Sequence, residues 1–462
     1  MPATRLGRIG LWVLIVFTLP AFGAQPAHAV PSFARQTGVS CAACHVSYPE
    51  LTLFGRLFKL NGYVMSSEPQ IGESSSNLSI NNQLPISAMV LISYAQLEQA
   101  DFDTTNENLN RVRNQKDAVL FPEEFSLFYA GKITPNIGIF LQATYEGATD
   151  SFSFDNTDIR FVDSKTLEGS QLVYGLTLNN NPTIQDLWNS TPAWGFPFAS
   201  SALTPSPEAV VQIDGELGGT VAGLGGYVGW LYESWLFYGE LTFYKSALLG
   251  SEPPIGTASG QNVIQGFAPY LRLAAEKNVG EWSWEFGGLQ MNDTYIPYGD
   301  AAAATDPEGG DQRLSHLATN SFRDYGIDTQ FQFYGSQDQL SLKAIWLHED
   351  NHWGSLSAAN HVKSSTEIET TRTTVSYYRA QRYGVNAQYF SITGTKDFET
   401  RTGSADTSGE MVELVYTPWL NARFSLAYTL FDKFNGSSSN YDGNGRNASD
   451  NNTLFLLAWL MF

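Results

Sequence analysis

Apolar and polar residues alternate one for one along most of this chain, and a period of two admits strands and little else. Ile137, Ile139, Leu141, Ala143 and Tyr145 interleave with Gly138, Phe140, Gln142, Thr144 and Glu146. Trp235, Phe237, Leu241 and Phe243 interleave with Tyr238, Glu240, Thr242 and Tyr244. Leu271 and Leu273 sit between Tyr270, Arg272 and Ala274, while Asp328, Gln330 and Gln332 separate Tyr325, Ile327, Phe331 and Phe333. One face of each segment suits hydrocarbon; the other carries groups that a wet interior tolerates. The pattern runs from residue 85 onward and predicts about sixteen strands, beginning near residues 87, 123, 137, 152, 170, 219, 234, 266, 281, 324, 339, 368, 383, 409, 421 and 452.

The links between strands alternate in length. Tight connections fall at Thr134–Asn136, Tyr232-Glu233, Lys277–Gly280, Ser336–Asp338, Gln381-Arg382 and Pro418–Leu420, with Val162–Gly169 as a longer exception. Between them come long ones: Glu98–Pro122, Asn181–Gly218, Asp293–Phe322 and Asp432–Asn451, with Gly147–Ser151 a short exception. A transmembrane barrel with short turns at one rim and long loops at the other has this signature, and an even strand count returns both ends to one side. A soluble sandwich or propeller does not require such alternation, and no blade-length repeat is visible. The final segment, Leu454–Phe462, is apolar and closes on an aromatic, as outer-membrane barrels commonly do. The expected fold is therefore an all-β transmembrane barrel of about sixteen antiparallel strands over 85–462.

The first 29 residues read as a signal peptide. Arg5 and Arg8 precede the apolar run Gly10–Gly23, and Ala27-His28-Ala29 offers small residues at the cleavage positions. That run contains Pro20 and is shorter than the ~20 residues of a spanning helix, so export is expected rather than anchoring. Removing the two arginines takes the net charge from −20 to −22. Such acidity excludes nucleic acid as a partner and favours attraction of cations.

Export governs how the two cysteines are read. They stand as Cys41-Ala42-Ala43-Cys44-His45. A thiol oxidoreductase would place C-x-x-C on a βαβ unit, and nothing here alternates that way. C-x-x-C-H instead presents two thiols about one helical turn apart, able to join the vinyl groups of a haem, with an imidazole next in the chain for the iron. One covalent haem c is expected at Cys41 and Cys44, with His45 as proximal iron ligand. Residues 30–84, a small, mainly helical or irregular cytochrome segment, are too few to bury a full core without that group. Pro49, Leu51, Phe54, Phe58, Leu60 and Tyr63 are candidates to cover the porphyrin, and Arg56 or Lys59 to meet its propionates. No histidine follows His45 before His316. Met65 is therefore the leading candidate for the distal iron position, with Met89 as fallback and a barrel histidine or water as further options.

Pro31–Tyr63, PSFARQTGVSCAACHVSYPELTLFGRLFKLNGY, resembles the opening of the fused monohaem cytochrome–porins of the bacterial outer membrane, best known from iron-oxidising bacteria. Beyond that segment the resemblance is one of architecture, length and pattern. It implies that Cys41, Cys44 and His45 hold the haem. It further implies an electron-transfer protein rather than a conventional enzyme, acting in effect as an Fe(II) oxidase. Electrons would come from an extracellular donor, typically Fe(II) or another reductant, and pass to a periplasmic c-type cytochrome, in a setting of outer-membrane lipid with the loops facing the exterior. Two alternatives stay open: a diffusion channel whose haem segment is a plug, and a haem peroxidase with an open iron position.

His348-Glu349-Asp350-Asn351-His352 satisfies the literal H-E-x-x-H pattern, but zinc proteases need it on a helix. Here it follows a strand-like run, LSLKAIWL, and reads as loop residues that at most hold a cation loosely at the barrel mouth. The Asp300–Asp311 and Asn435–Asp450 clusters read as flexible solvated tips rather than calcium sites.

Overall fold

Each period-two segment forms a strand, and the strands close on themselves. The computed structural model describes residues 31–67, 70–71, 80–82, 84–100, 116–247, 262–297, 319–354, 363–396 and 403–462; the signal-peptide reading and the Asp300–Asp311 link lie outside them. Sixteen antiparallel strands follow one another: β1 Ile86–Leu97, β2 Asp117–Thr134, β3 Ile137–Glu146, β4 Ser151–Leu167, β5 Ser170–Asn179, β6 Val221–Tyr232, β7 Trp235–Ser246 and β8 Ala268–Val279. Then come β9 Trp282–Pro297, β10 Asn320–Tyr334, β11 Asp338–His352, β12 Ser365–Arg379, β13 Tyr383–Gly394, β14 Thr407–Trp419, β15 Ala422–Lys433 and β16 Thr453–Met461. A short stretch, Asn262–Ile264, pairs with the far end of β9 and extends the line of β8. Closure comes from β16 against β1, in the register Met461↔Met89 and Trp459↔Leu91. A closed barrel leaves no unpaired edge, so every strand finds both ladder partners.

The two faces separate as the alternation requires. On β7, Trp235, Phe237, Leu241 and Phe243 are exposed on the outer wall, while Leu236, Tyr238, Glu240, Thr242 and Tyr244 are buried inside. Several sequence-based boundaries shift by a few residues, two of them with a consequence for the links. Strand β2 begins at Asp117, six residues before Glu123, because residues 117–120 pair with Ser93–Gln96 across a bulge. Strand β4 runs on to Leu167 and pairs in register with β5, leaving only Glu168-Gly169 as the turn, so the supposed long exception at Val162–Gly169 is a tight turn.

Two parts of the chain fold into the lumen. Three short helices, α1 Pro31–Thr37, α2 Cys41–Cys44 and α3 Leu53–Leu60, precede the barrel in sequence and lie within it, near the short turns. Tyr63 Oη donates to Asp158 at 2.7 Å, Tyr227 Oη to the Leu60 carbonyl at 3.1 Å, and Tyr48 to the carbonyl of Leu420. Contact with the wall is close enough that a Cβ at Gly138 would stand 1.9 Å from the Gly62 carbonyl oxygen. From the opposite rim the long link between β5 and β6 folds inward. Its Ala209, Val211, Ile213 and Leu217 form a dry cluster with Tyr244, Tyr270, Leu289, Met291 and Leu347 of the wall. The link after β15, expected as a flexible tip at Asn435–Asp450, is instead packed. Phe434, Tyr441 and Ala448 are buried against Phe390 and Phe431, the Arg446 guanidinium donates to Asn451, and Asn447 and Asp450 cap each other.

Buried ion pairs join the wall to the inward link. Arg272 on β8 donates to both carboxylate oxygens of Asp328 on β10, at 2.7 and 2.8 Å. It also reaches Asp186 of the inward link at 3.2 Å and Glu285 on β9 at 3.3 Å, and all four side chains are fully buried. Removing one partner of such a set leaves uncompensated buried charge, at a cost of about 3–5 kcal/mol. Arg272→Ala is therefore expected to lower the midpoint of heat-induced loss of the β signal by several degrees and to expose the β5–β6 link to protease. Unchanged melting and protection would show that the link is held by its apolar cluster alone.

Candidate functional site

The site is built from residues 31–63, whose turns are short and whose helices are tied to one another. Thr52 caps α3: its Oγ1 accepts from the Gly55 amide at 3.2 Å and donates to the Ala43 carbonyl at 2.5 Å, joining α3 to the Cys41–Cys44 turn. Only glycine fits at 55, since a Cβ there would lie 2.3 Å from the Cys44 carbonyl oxygen. Between these helices His45–Ser47 and Glu50–Leu51 make a small ribbon. Barrel and link then fix the ribbon from outside. Lys343 pairs with the buried Glu50 at 2.7 Å, Asn189 Nδ2 donates to the Pro49 carbonyl at 3.1 Å, and Gln381 donates to the Ala42 carbonyl at 3.2 Å.

Beside this segment lies a cavity of about 370 Å³, within the range of ligand pockets. Cys41, Cys44 and His45 all line it, and no disulfide joins the cysteines. Aromatic and aliphatic groups from three sources complete the wall: Phe33, Phe58 and Tyr63 of the segment, Met89, Leu91, Phe128, Phe140, Trp459 and Met461 of the barrel, and Trp194 of the β5–β6 link. Glu124 and Asp155 supply an acidic stretch of wall.

The electrostatics suit a neutral imidazole and a waiting cation. Burial pulls His45 down to about 4, so its ring is uncharged at neutral pH with a lone pair available. The ring packs against the backbone of Pro49 and Glu50, and its buried Nδ1 meets no partner at hydrogen-bonding geometry. Burial, aided by Cys41, pushes the Cys44 thiol up to about 11. Lys59 also lines the cavity. Its ammonium donates to the Asp186 carbonyl at 2.6 Å and lies 4.9 Å from the Trp194 ring centre. Burial, together with Arg160 nearby, draws Lys59 down to about 7.

The candidates picked from sequence divide here. Pro49, Leu51, Phe58 and Tyr63 line the cavity. Leu60 faces elsewhere, into a cluster with Val162, Leu187 and Trp188. Arg56 is committed to the barrel. It pairs with Glu276 at 3.0 Å and donates to Gln332 at 2.6 Å, Tyr334 at 2.9 Å and Ser283 at 3.1 Å, away from the cavity wall. Met65 is likewise off the wall and 36% exposed, its carbonyl held by Gln36 at 2.8 Å. Met89 and its register partner Met461 are the thioethers on the wall. Apart from Met89, the sequence reading does not pick out the barrel's share of the cavity. The available signal was Leu91, Phe128 and Trp459: large apolar groups at lumen-facing positions where a wet interior would carry polar ones. The H-E-x-x-H residues lie on β11 rather than in a loop, with His348 and His352 on the outer face and Glu349 inside, an arrangement that cannot form a protease centre.

No family model matches the chain, and no curated protein matches it. Solved structures that align with it include bacterial outer-membrane proteins. OmpT of Vibrio cholerae is 10% identical over 82% of this chain and 96% of its own, with a TM-score of 0.43. The outer membrane channel DcaP of Acinetobacter baumannii is 11% identical over 82% and 96%, at 0.42. Salmonella typhi OmpF is 11% identical over 85% and 100%, at 0.43. At these identities and scores the overlaps carry no argument about what this chain binds or conducts.

Proposed function

We propose that the chain is an outer-membrane electron-transfer protein that holds one covalent haem c inside its barrel. The observation that carries this reading is the shared cavity: both thiols of Cys41-Ala42-Ala43-Cys44-His45, and the imidazole itself, open onto one largely apolar chamber within the lumen. A haem there would store and release one electron at a time. The chain's own residues do the rest. Cys41 and Cys44 would fix the group's position, His45 would supply a nitrogen to the iron, and of the two cations expected at the propionates Lys59 is the one on the cavity wall. Phe33, Phe58 and Phe128 exclude water. The apolar outer wall, exemplified by Trp235, Phe237, Leu241 and Phe243, suits hydrocarbon, which supports a membrane setting. With the start of β1 and the end of β16 on the side of the short turns, that side is assigned to the periplasm, where a c-type cytochrome would accept electrons. The donor is taken to be an extracellular reductant, Fe(II) in particular, drawn by the acidic surface.

A second reading, a diffusion channel with the haem segment as plug, follows from the width of a sixteen-stranded barrel. The dry packing of the β5–β6 link against the wall favours the first reading. In planar bilayers the protein is expected to show no open-porin conductance; large steady steps would favour the channel.

Covalent attachment gives the first test. Haem peroxidase staining should stay with the band in denaturing electrophoresis and survive acidified organic extraction, and Cys44→Ala should abolish stable holoprotein. Extraction of the haem from the wild type would sink this assignment.

For the donor, mixing the oxidised holoprotein with Fe(II) should produce the reduced absorbance bands. The rate should fall with added salt, because attraction to exposed charge is screened within about 10 Å at roughly 0.1 M. A haem reduced by dithionite but never by excess Fe(II) removes iron from the account.

The distal ligand can be read from the oxidised spectrum. The weak long-wavelength band of thioether ligation should vanish in Met89→Leu and persist in Met65→Leu. The reverse outcome would restore Met65.

A further inference from the structure

We propose that His348, Asp350 and Glu367, with Glu369 holding the other ring nitrogen of His348, form a site for a first-row divalent transition-metal ion on the outer wall of the barrel, toward the rim with the long links. Antiparallel pairing makes the site: β11 and β12 run in the register His348↔Glu369 and Asp350↔Glu367. His348 and Asp350 occupy outward positions, alternating with the buried, lumen-facing Leu347, Glu349 and Asn351. The four side chains thus form a two-by-two patch on one face of two adjacent strands, as cross-strand neighbours must. One ligand atom from each of His348, Asp350 and Glu367 lies within 4.8 Å of the others.

The imidazole is the element that turns an acidic patch into a metal site. His348 is 8% exposed, packed against the Tyr325 and Trp346 rings, whose centres lie 4.9 and 5.9 Å away. Its Nδ1 is 3.1 Å from Glu369 and its Nε2 3.2 Å from Asp350. A carboxylate only accepts, and a neutral imidazole has a single N–H. One ring nitrogen therefore directs its lone pair at a carboxylate oxygen, an arrangement that a cation between them resolves. A proton is one such cation, but imidazolium supplies one positive charge among three carboxylates. Arg323, across from Asp350 on β10, leans over Tyr325 at 5.7 Å. His352, the next outward residue, is turned to Ser365 at 3.2 Å. A divalent ion suits the excess charge, and an imidazole nitrogen beside carboxylate oxygens selects zinc, iron or manganese over magnesium. Bound there, the ion would clamp β11 to β12 just below the link at residues 353–364. The site is independent of the haem reading.

The test uses full-length holoprotein in detergent, stripped with chelator and titrated with Zn²⁺ by calorimetry while the haem absorbance is monitored. One saturable equivalent is expected, with unchanged haem bands and no competition from millimolar Mg²⁺. His348→Ala and the exposed Glu367→Gln should each weaken binding at least about tenfold. Glu367→Gln keeps the shape of the side chain, so a folding failure of His348→Ala does not end the test. No saturable binding, binding unchanged in both variants, or equal competition by Mg²⁺ would each overturn the proposal. The first of these outcomes would leave His348 as a protonated imidazolium.

Discussion

A barrel wall whose inner face carries Arg160, Arg272 and Arg423 cannot simply be filled with hydrocarbon groups. Each guanidinium, once cut off from water, requires an anion at hydrogen-bonding distance. Asp158, Asp328 and Glu413 answer from the wall itself, at 2.7, 2.7 and 2.8 Å. The same logic recruits the interior. Arg272 takes Asp186 from the inward link, Glu276 of the wall takes Arg56 from α3, and Lys343 takes Glu50 from the ribbon. Charge satisfaction is what couples the wall, the N-terminal segment and the β5–β6 link into one body. The cavity beside Cys41 and Cys44 is the space these anchors leave open.

How much of this could be read in the sequence depended on whether the physics was local. Side-chain alternation is local, so the starts of β3, β5 and β13 at residues 137, 170 and 383 coincide with the period-two reading. Turn lengths were legible for the same reason, except where a strand ran past its polar stretch, as β4 does through Asp163, Ser164 and Lys165. Polar residues there face solvent near the rim and look like loop. The Cys41–His45 spacing was visible because it lies in five consecutive residues.

What lies inside the barrel was not visible, because alternation says only which side chains point inward. Nothing local distinguishes Arg56, held by Glu276 220 residues away, from Lys59 one turn later, which reaches the cavity. Met65 was attractive because it is close in sequence to His45. Met89 is close in space because β1 passes the segment on its way across the barrel. The folding-in of the β5–β6 link had a trace in Ile184, Leu187 and Trp188, apolar residues too concentrated for a solvated loop, all buried to within 1%.

The seam of the barrel has a consequence for how the chamber comes to exist. Met89 and Leu91 on the first strand, with Trp459 and Met461 on the last, form adjoining rungs of the ladder that closes the cylinder. They are also one wall of the cavity. The chamber therefore has no complete boundary until the two ends of a chain of this length have met. Whatever occupies it must arrive before the last strand docks or wait for that strand to part, and loosening of this single ladder opens the chamber sideways. In this protein the latch of the cylinder and the wall of the binding chamber are the same four side chains.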